Sequence, residues 1–159
     1  MKALTTYINE KLILNKDMFK EHYFPKTKKE LQDILKQLLE ERKDDDVIDL
    51  NDIDTFNITD MSELFFQNKN IKKIDISDWD VSKVHNMSNM FCFCTELESI
   101  GDISRWNVSN VKNMRYMFYT CYELKSVGDI SSWNISNTEN IDNMFTNSGI
   151  TNIPDWYEK

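Results

Sequence analysis

One phrase recurs along this chain at a fixed interval. Trp79, Trp106 and Trp133 stand 27 residues apart, and so do Phe91, Phe118 and Phe145. Aligned, the copies read D-I-S-x-W-[DN]-[VI]-S-x-[VT]-x-N-[MI]-x-x-M-F-x-x-[CS], closed by Leu or Ile, two variable residues and Ile or Val. A weaker copy passes through Ile53, Ile58, Met61, Leu64 and Phe65, 26 residues before Phe91. A period of this size means that one unit is used about four times over residues 50–156. So short a unit buries its apolar faces only by stacking on its neighbours.

Two periodicities alternate within a copy. Ile71-x-x-Ile74-x-Ile76 has the L-x-x-L-x-L spacing of a short strand, and the later copies insert Gly101 or Gly128 after it, as a bulge or tight bend would require. After Trp106, Ser109-Asn110-Val111 has the character of a helix cap, and Val111, Met114, Met117 and Phe118 follow at helical spacing. One copy therefore reads as strand, turn and short helix. The expected class is α/β: a right-handed, leucine-rich-repeat-like solenoid with a short parallel β-sheet, preceded by two N-terminal α-helices.

The first of those helices is expected over residues 3–14, with Leu4, Tyr7, Ile8 and Leu12 on one stripe. The second comes after Pro25. Thr27-Lys28-Lys29-Glu30 reads as a capping box, and Leu31, Ile34, Leu35, Leu38 and Leu39 fall at i, i+3, i+4, i+7 and i+8 before the acidic run from Asp44 to Asp46. Residues 1–49 are thus expected as an N-terminal helical segment that caps the stack, and 50–159 as about four repeats closed by Pro154, Trp156 and Tyr157.

Charge divides along the same line. Residues 1–43 carry 10 Lys/Arg against 7 Asp/Glu, a balance of +3, and the remainder carries 9 against 20, a balance of −11. An acidic repeat surface without a basic stripe argues against nucleic acid as a partner. No apolar run reaches the ~18 residues that would suggest a membrane span, so no membrane insertion is expected. Asn9, Glu10 and Lys11 interrupt what would be the apolar core of a secretion signal. The expected location is accordingly cytoplasmic. Three cysteines without such a signal point to a reduced compartment.

The phrase, with Trp79, Val81, Val84, Asn86, Met87, Met90, Phe91, Cys94 and Leu97 at its matching positions, resembles the BspA-like leucine-rich repeat family over about two thirds of the chain. The resemblance implies a solenoid used for binding, often on bacterial or mycoplasmal surfaces and sometimes in phage-encoded proteins. The opening MKALTTYINE is similar to the capsid-targeting peptides of large tailed phages, which implies packaging into a virion with capsid components as partners. A surface adhesin is the third expectation, disfavoured by the lack of a secretion signal.

Several residue sets are candidate sites. Asp75, Asp102 and Asp129 recur once per copy, as a calcium-attracting row or as turn-forming residues, with the turn reading favoured. Asn86, Asn113 and Asn140 read as a structural ladder, and Cys92, Cys94 and Cys121 as small core residues rather than a zinc set. His22 and His85 are the only histidines, and no nucleophile elbow, phosphate loop or metal-ligand helix appears. Neither an enzyme nor a cofactor or metal is expected. Binding to another protein is expected instead, where the copies differ: at Lys72, Lys73, Glu98, Ser99, Lys125 and Ser126 on the strand face, with Phe66, Phe93, Tyr119 and Tyr122 as a second irregular set.

Overall fold

The computed structural model of the protein describes residues 22–157. The expected helix over 3–14, with Leu4, Tyr7, Ile8 and Leu12, lies outside them. The second expected helix is present as α1, Lys28–Glu41. The Thr27 hydroxyl accepts from the Glu30 amide at 3.2 Å, and Glu30 reaches back to the Lys26 amide at 2.7 Å, so the box closes one residue earlier than a standard one. Leu31, Leu35 and Leu38 are buried, and Ile34 and Leu39 pack partly buried beside them. Burying each leucine is worth roughly 1.5–3 kcal/mol.

Both ends of helix α1 are anchored to the first copy. Lys28 Nζ lies 3.2 Å from Asp60 Oδ1 and 2.6 Å from Ser62 Oγ. Arg42 grips the Asp52 carboxylate at 2.5 and 3.2 Å and also donates to the Asp49 carbonyl.

The remaining secondary structure is sparse. Strand β1, Ile48–Asp49, pairs in parallel with β2, Ile74–Asp75, in the register Ile48↔Ile74 and Asp49↔Asp75. Isolated parallel bridges join Tyr23 to Ile53, Asp60 to Asn86, Lys73 to Ser99, Asn86 to Asn113 and Asn113 to Asn140. The expected α/β leucine-rich-repeat-like solenoid with two leading helices is therefore corrected. Among the described residues there is one α-helix and one sheet of two strands, each two residues long.

The physical reason lies in the stretch that reads as helical. Two residues in every copy adopt a left-handed backbone: Glu63 and Gln67, Asn89 and Phe93, Tyr116 and Thr120, Asn143 and Asn147, all with φ between 54° and 63°. Alternate residues close turns to the carbonyl three back, such as Met90 to Met87 and Cys92 to Asn89. The intervening N–H groups leave their own copy. Those of Met61, Glu63, Phe65 and Gln67 donate to the carbonyls of Asn86, Ser88, Met90 and Cys92 at 2.8–3.1 Å. Those of Met87, Asn89, Phe91 and Phe93 donate to Asn113, Arg115, Met117 and Tyr119, and those of Met114, Tyr116, Phe118 and Thr120 to Asn140, Asp142, Met144 and Thr146, at 2.8–3.0 Å. An α-helix would keep every N–H inside its own copy. Here the helical spacing of apolar residues is produced by serial turns, and hydrogen bonds between copies replace those of a helix.

The polar letters of the phrase make turns as well. The Oδ1 atoms of Asp75, Asp80 and Asn86 each accept the amide two residues on, at 2.9–3.1 Å. Asp102, Asn107 and Asn113 repeat the arrangement, as do Asp129, Asn134 and Asn140. Each copy is thus cornered by three Asx turns. Asn110, expected at a helix cap, sends its side-chain amide to the Ser82 carbonyl of the preceding copy at 2.7 Å.

A single apolar cluster runs from Leu31 to Ile150. Its axis is a column of rings: Phe65, Phe91, Phe118 and Phe145 stack at 5.1, 5.6 and 5.8 Å with planes within 15° of parallel. Met87, Met90, Met114, Met117 and Met144 fill in around it, wholly buried. The indole N–H groups of Trp79 and Trp133 donate to the carbonyls of Leu50 and Ile103, and Trp156 does the same to Ile130 at 3.0 Å. Trp156 lies stacked 6.3 Å from Trp133, and Tyr157 sets its edge against Phe145 at 5.0 Å.

Candidate interaction surface

Cys92 and Thr120 beside the column are buried, but Phe66 and Phe93 are exposed and Tyr116 and Tyr119 half-buried. These last four bring a second set of rings together on the surface. Phe66 meets Phe93 at 6.3 Å, Phe93 meets Tyr119 at 5.4 Å, and Tyr119 meets Tyr116 at 5.1 Å, each edge to face. Phe66 and Phe93 remain 40% and 37% exposed. With Asn89 and Asn143 these rings line an open groove of about 390 Å³. The guanidinium of Arg115 sits 4.5 Å from the Tyr116 ring centre at its border.

Backbone conformation sets this strip apart from ordinary exposed aromatics. Phe93 and Tyr116 have φ of 63° and 58°, a region that Asn enters readily and bulky residues avoid, at roughly 1–2 kcal/mol per residue. The equivalent positions in the other copies hold Glu63, Asn89 and Asn143 for Tyr116, and Gln67, Thr120 and Asn147 for Phe93, polar residues throughout. Two aromatics thus stand where the other copies carry polar residues, and both face the same groove. The irregular aromatic set read from the sequence contains Phe66, Phe93 and Tyr119 of this strip. It misses Tyr116, which alignment with Asn89 and Asn143 could have flagged, and it includes Tyr122, which is 52% exposed and makes no ring contact with the strip among the described residues.

The strand-face residues are placed differently. Lys72, Lys73 and Glu98 border one cleft with Asp45 and Asp46, where Lys73 Nζ lies 3.7 Å from Asp46 and 3.9 Å from Glu98. Ser99 bridges to Lys73 through its backbone, and its hydroxyl accepts from the Gly101 amide at 3.3 Å. Lys125 and Ser126 stand a copy further on. Lys125 donates to the Tyr122 carbonyl and lies 3.6 Å from Glu123, and Ser126 accepts from the Gly128 amide. The two serines therefore serve local turns, and Lys73, Glu98 and Lys125 are engaged in exposed pairs of the kind worth under about 1 kcal/mol.

Nor are the carboxylates of the aspartate row idle acceptors. Asp102 titrates below the usual range because the Ser104 amide and hydroxyl donate to it, and Asp129 does so through the hydroxyl and amide of Ser131. Among the described residues no group of three or more His, Cys, Asp or Glu is arranged to hold a metal ion. The thiols of Cys94 and Cys121 donate to the carbonyls of Phe65 and Phe91 at 2.9 Å. Burial pushes the Cys94 thiol up to about 12 and raises Cys121 as well, which suppresses the thiolate at neutral pH. Ser148 takes this position in the last copy, and its buried hydroxyl has no partner. No helix among the described residues is long and apolar enough to cross a membrane.

Stacked copies around an apolar column, with a strip of rings along one side, define a tandem-repeat protein. The chain belongs to the family described as Mycoplasma protein of unknown function, DUF285, whose model matches residues 33–156, and that family is associated with BspA-like repeat proteins. No curated protein and no solved structure matches the chain.

Proposed function

We propose that this chain is a non-catalytic protein-binding module of the BspA-like repeat type, and that its partner docks on the strip formed by Phe66, Phe93, Tyr116 and Tyr119. The observation that carries the reading is the pair of aromatics on the groove, Phe93 and Tyr116, held in a left-handed backbone that polar residues fill in the sister copies. Folding gains little from large rings at those positions. Binding gains much, because aromatic side chains on a rigid support supply contact area at small entropic loss.

The test is cross-linking in the source cells with three forms of the full chain. These are the parent, Phe66→Ala/Phe93→Ala/Tyr119→Ala, and Lys72→Ala/Lys73→Ala/Glu98→Ala/Lys125→Ala. A protein captured by the parent and the charged-face variant but lost from the aromatic variant supports the reading. Loss from the charged-face variant alone moves the site to the strand face, and equal capture by all three removes both.

A further inference from the structure

The hydrogen bonds between copies share one polarity along residues 61–67 and their counterparts. In each linking peptide unit the carbonyl faces the preceding copy and the N–H faces the next, as in the run from Met61 to Asn86, Met87 to Asn113 and Met114 to Asn140, each at 2.8 Å. Peptide dipoles therefore add along the stack as they do along an α-helix, with partial negative charge at the first copy and partial positive charge at the last. Helix α1 lies against the first copy, and the Lys28 ammonium sits there beside Asp60 and Ser62. Among the described residues the last copy has no such cover on its main chain. The N–H groups of Ile141, Asn143, Phe145 and Asn147 occupy the donating positions of the earlier copies and make no hydrogen bond among the described residues. The carbonyls of Ile141, Asn143 and Phe145 turn inward to Met144, Thr146 and Ser148. Trp156 and Tyr157 close over the Phe145 ring but supply no acceptor to this row.

We propose that this row of four donors docks a segment of another protein, laid alongside residues 141–147 in parallel and offering main-chain carbonyls at two-residue spacing. A second copy of this chain does not meet the requirement. Two such ends placed together set donors against donors, and the carbonyl end of a second copy is the end against which its own α1 packs. The occupant is a chain that continues the stack by one more turn, a form of backbone augmentation. Its sequence chemistry is that of the phrase itself, N-[MI]-x-x-M-F, which holds a backbone in the required shape three times over in this molecule.

The experiment is amide-resolved NMR on the ¹⁵N-labelled full chain, titrated with an unlabelled peptide of residues 107–124 and, separately, with a scrambled peptide of the same composition. On saturation with the first peptide, exchange of the Ile141, Asn143, Phe145 and Asn147 amides slows roughly tenfold or more, while Met114, Tyr116, Phe118 and Thr120 stay as they were. No change at the four amides, an equal change with the scrambled peptide, or slow exchange of all four in the free protein each overturns the proposal.

Discussion

The guanidinium of Arg42 spans the carboxylate of Asp52 at 2.5 and 3.2 Å, and the Asp52 side chain is wholly screened from water. Arg42 is held in its charged form, first by the hydrogen bond to Asp52, against the opposing effect of burial. Because this pair ties the end of α1 to the first copy, Arg42→Ala leaves a buried carboxylate alone at a cost of about 3 kcal/mol or more. Urea denaturation followed by circular dichroism measures it. Arg42→Met with Asp52→Leu, which removes both charges, should recover most of the loss, and failure to do so would mean that the pair is needed for its geometry rather than its charge.

A Cβ on Gly128 would stand 1.9 Å from Asp102 Oδ1, and one on Gly101 would stand 2.4 Å from Asp75 Oδ1. Both glycines also have positive φ, 86° and 82°. Gly128→Ala therefore meets two obstacles, backbone strain and a collision with the carboxylate that corners the preceding copy. Destabilisation of about 1–3 kcal/mol from strain is expected before the clash is counted. Measured against Asp102→Ala alone, which already loses the acceptor for the Ser104 amide, adding Gly128→Ala should lower the melting temperature less than Gly128→Ala lowers that of the parent.

Acid should loosen the copies in a defined window. Asp102 and Asp129 titrate below the usual carboxylate range in the folded chain, held down by their serine donors, and Asp60 is lowered too, where hydrogen bonds from Ser62 and Lys28 overcome burial. A depressed carboxylate pKa contributes stability above its unfolded value and loses it as pH falls through the folded one. The urea midpoint is therefore expected to be level down to about pH 5 and to fall below about pH 4. Asp102→Asn with Asp129→Asn keeps the turn acceptor, as Asn107 and Asn134 do elsewhere in the phrase, and should make the acid fall shallower. An unchanged slope would mean that other carboxylates set the acid response.

What the sequence made legible was composition and repetition. The burial of Trp79, Trp106 and Trp133, the Phe column and its methionines result from identical residues recurring at one interval, because repetition forces equivalent surroundings. The cap at Thr27 was also readable, since it depends only on residues within one helical turn. The turn structure was not. Val111, Met114, Met117 and Phe118 satisfy a helical period, and nothing in Tyr116 or Thr120 announces a left-handed backbone. The signal lay across the copies rather than within one, in Asn89, Asn143 and Asn147 at those two positions. Likewise the D-x-S and N-x-S pairs mark Asx turns only once the hydrogen bonds between copies have taken the amides a helix would need. For the site, three of four strip residues were visible as departures from the repeat, and their meeting in one groove depends on edge-to-face packing that no spacing rule conveys.

Phe93 and Phe91 separate a binding role from a folding role two residues apart. Phe91 is completely buried between Phe65 and Phe118, so Phe91→Ala is expected to cost about 3–5 kcal/mol, as large-to-small changes in a packed core do. Phe93→Asn loses edge contacts with Phe66 and Tyr119, each worth roughly 0.5–1.5 kcal/mol, and relieves a left-handed strain of roughly 1–2 kcal/mol. The two effects nearly cancel, so its stability should stay within about 1 kcal/mol of the parent while partner capture is lost. A loss of stability at Phe93→Asn close to that of Phe91→Ala would make Phe93 a structural residue and remove the argument that its exposure serves binding. Stability held and capture retained would instead place the docking contacts elsewhere on the copies.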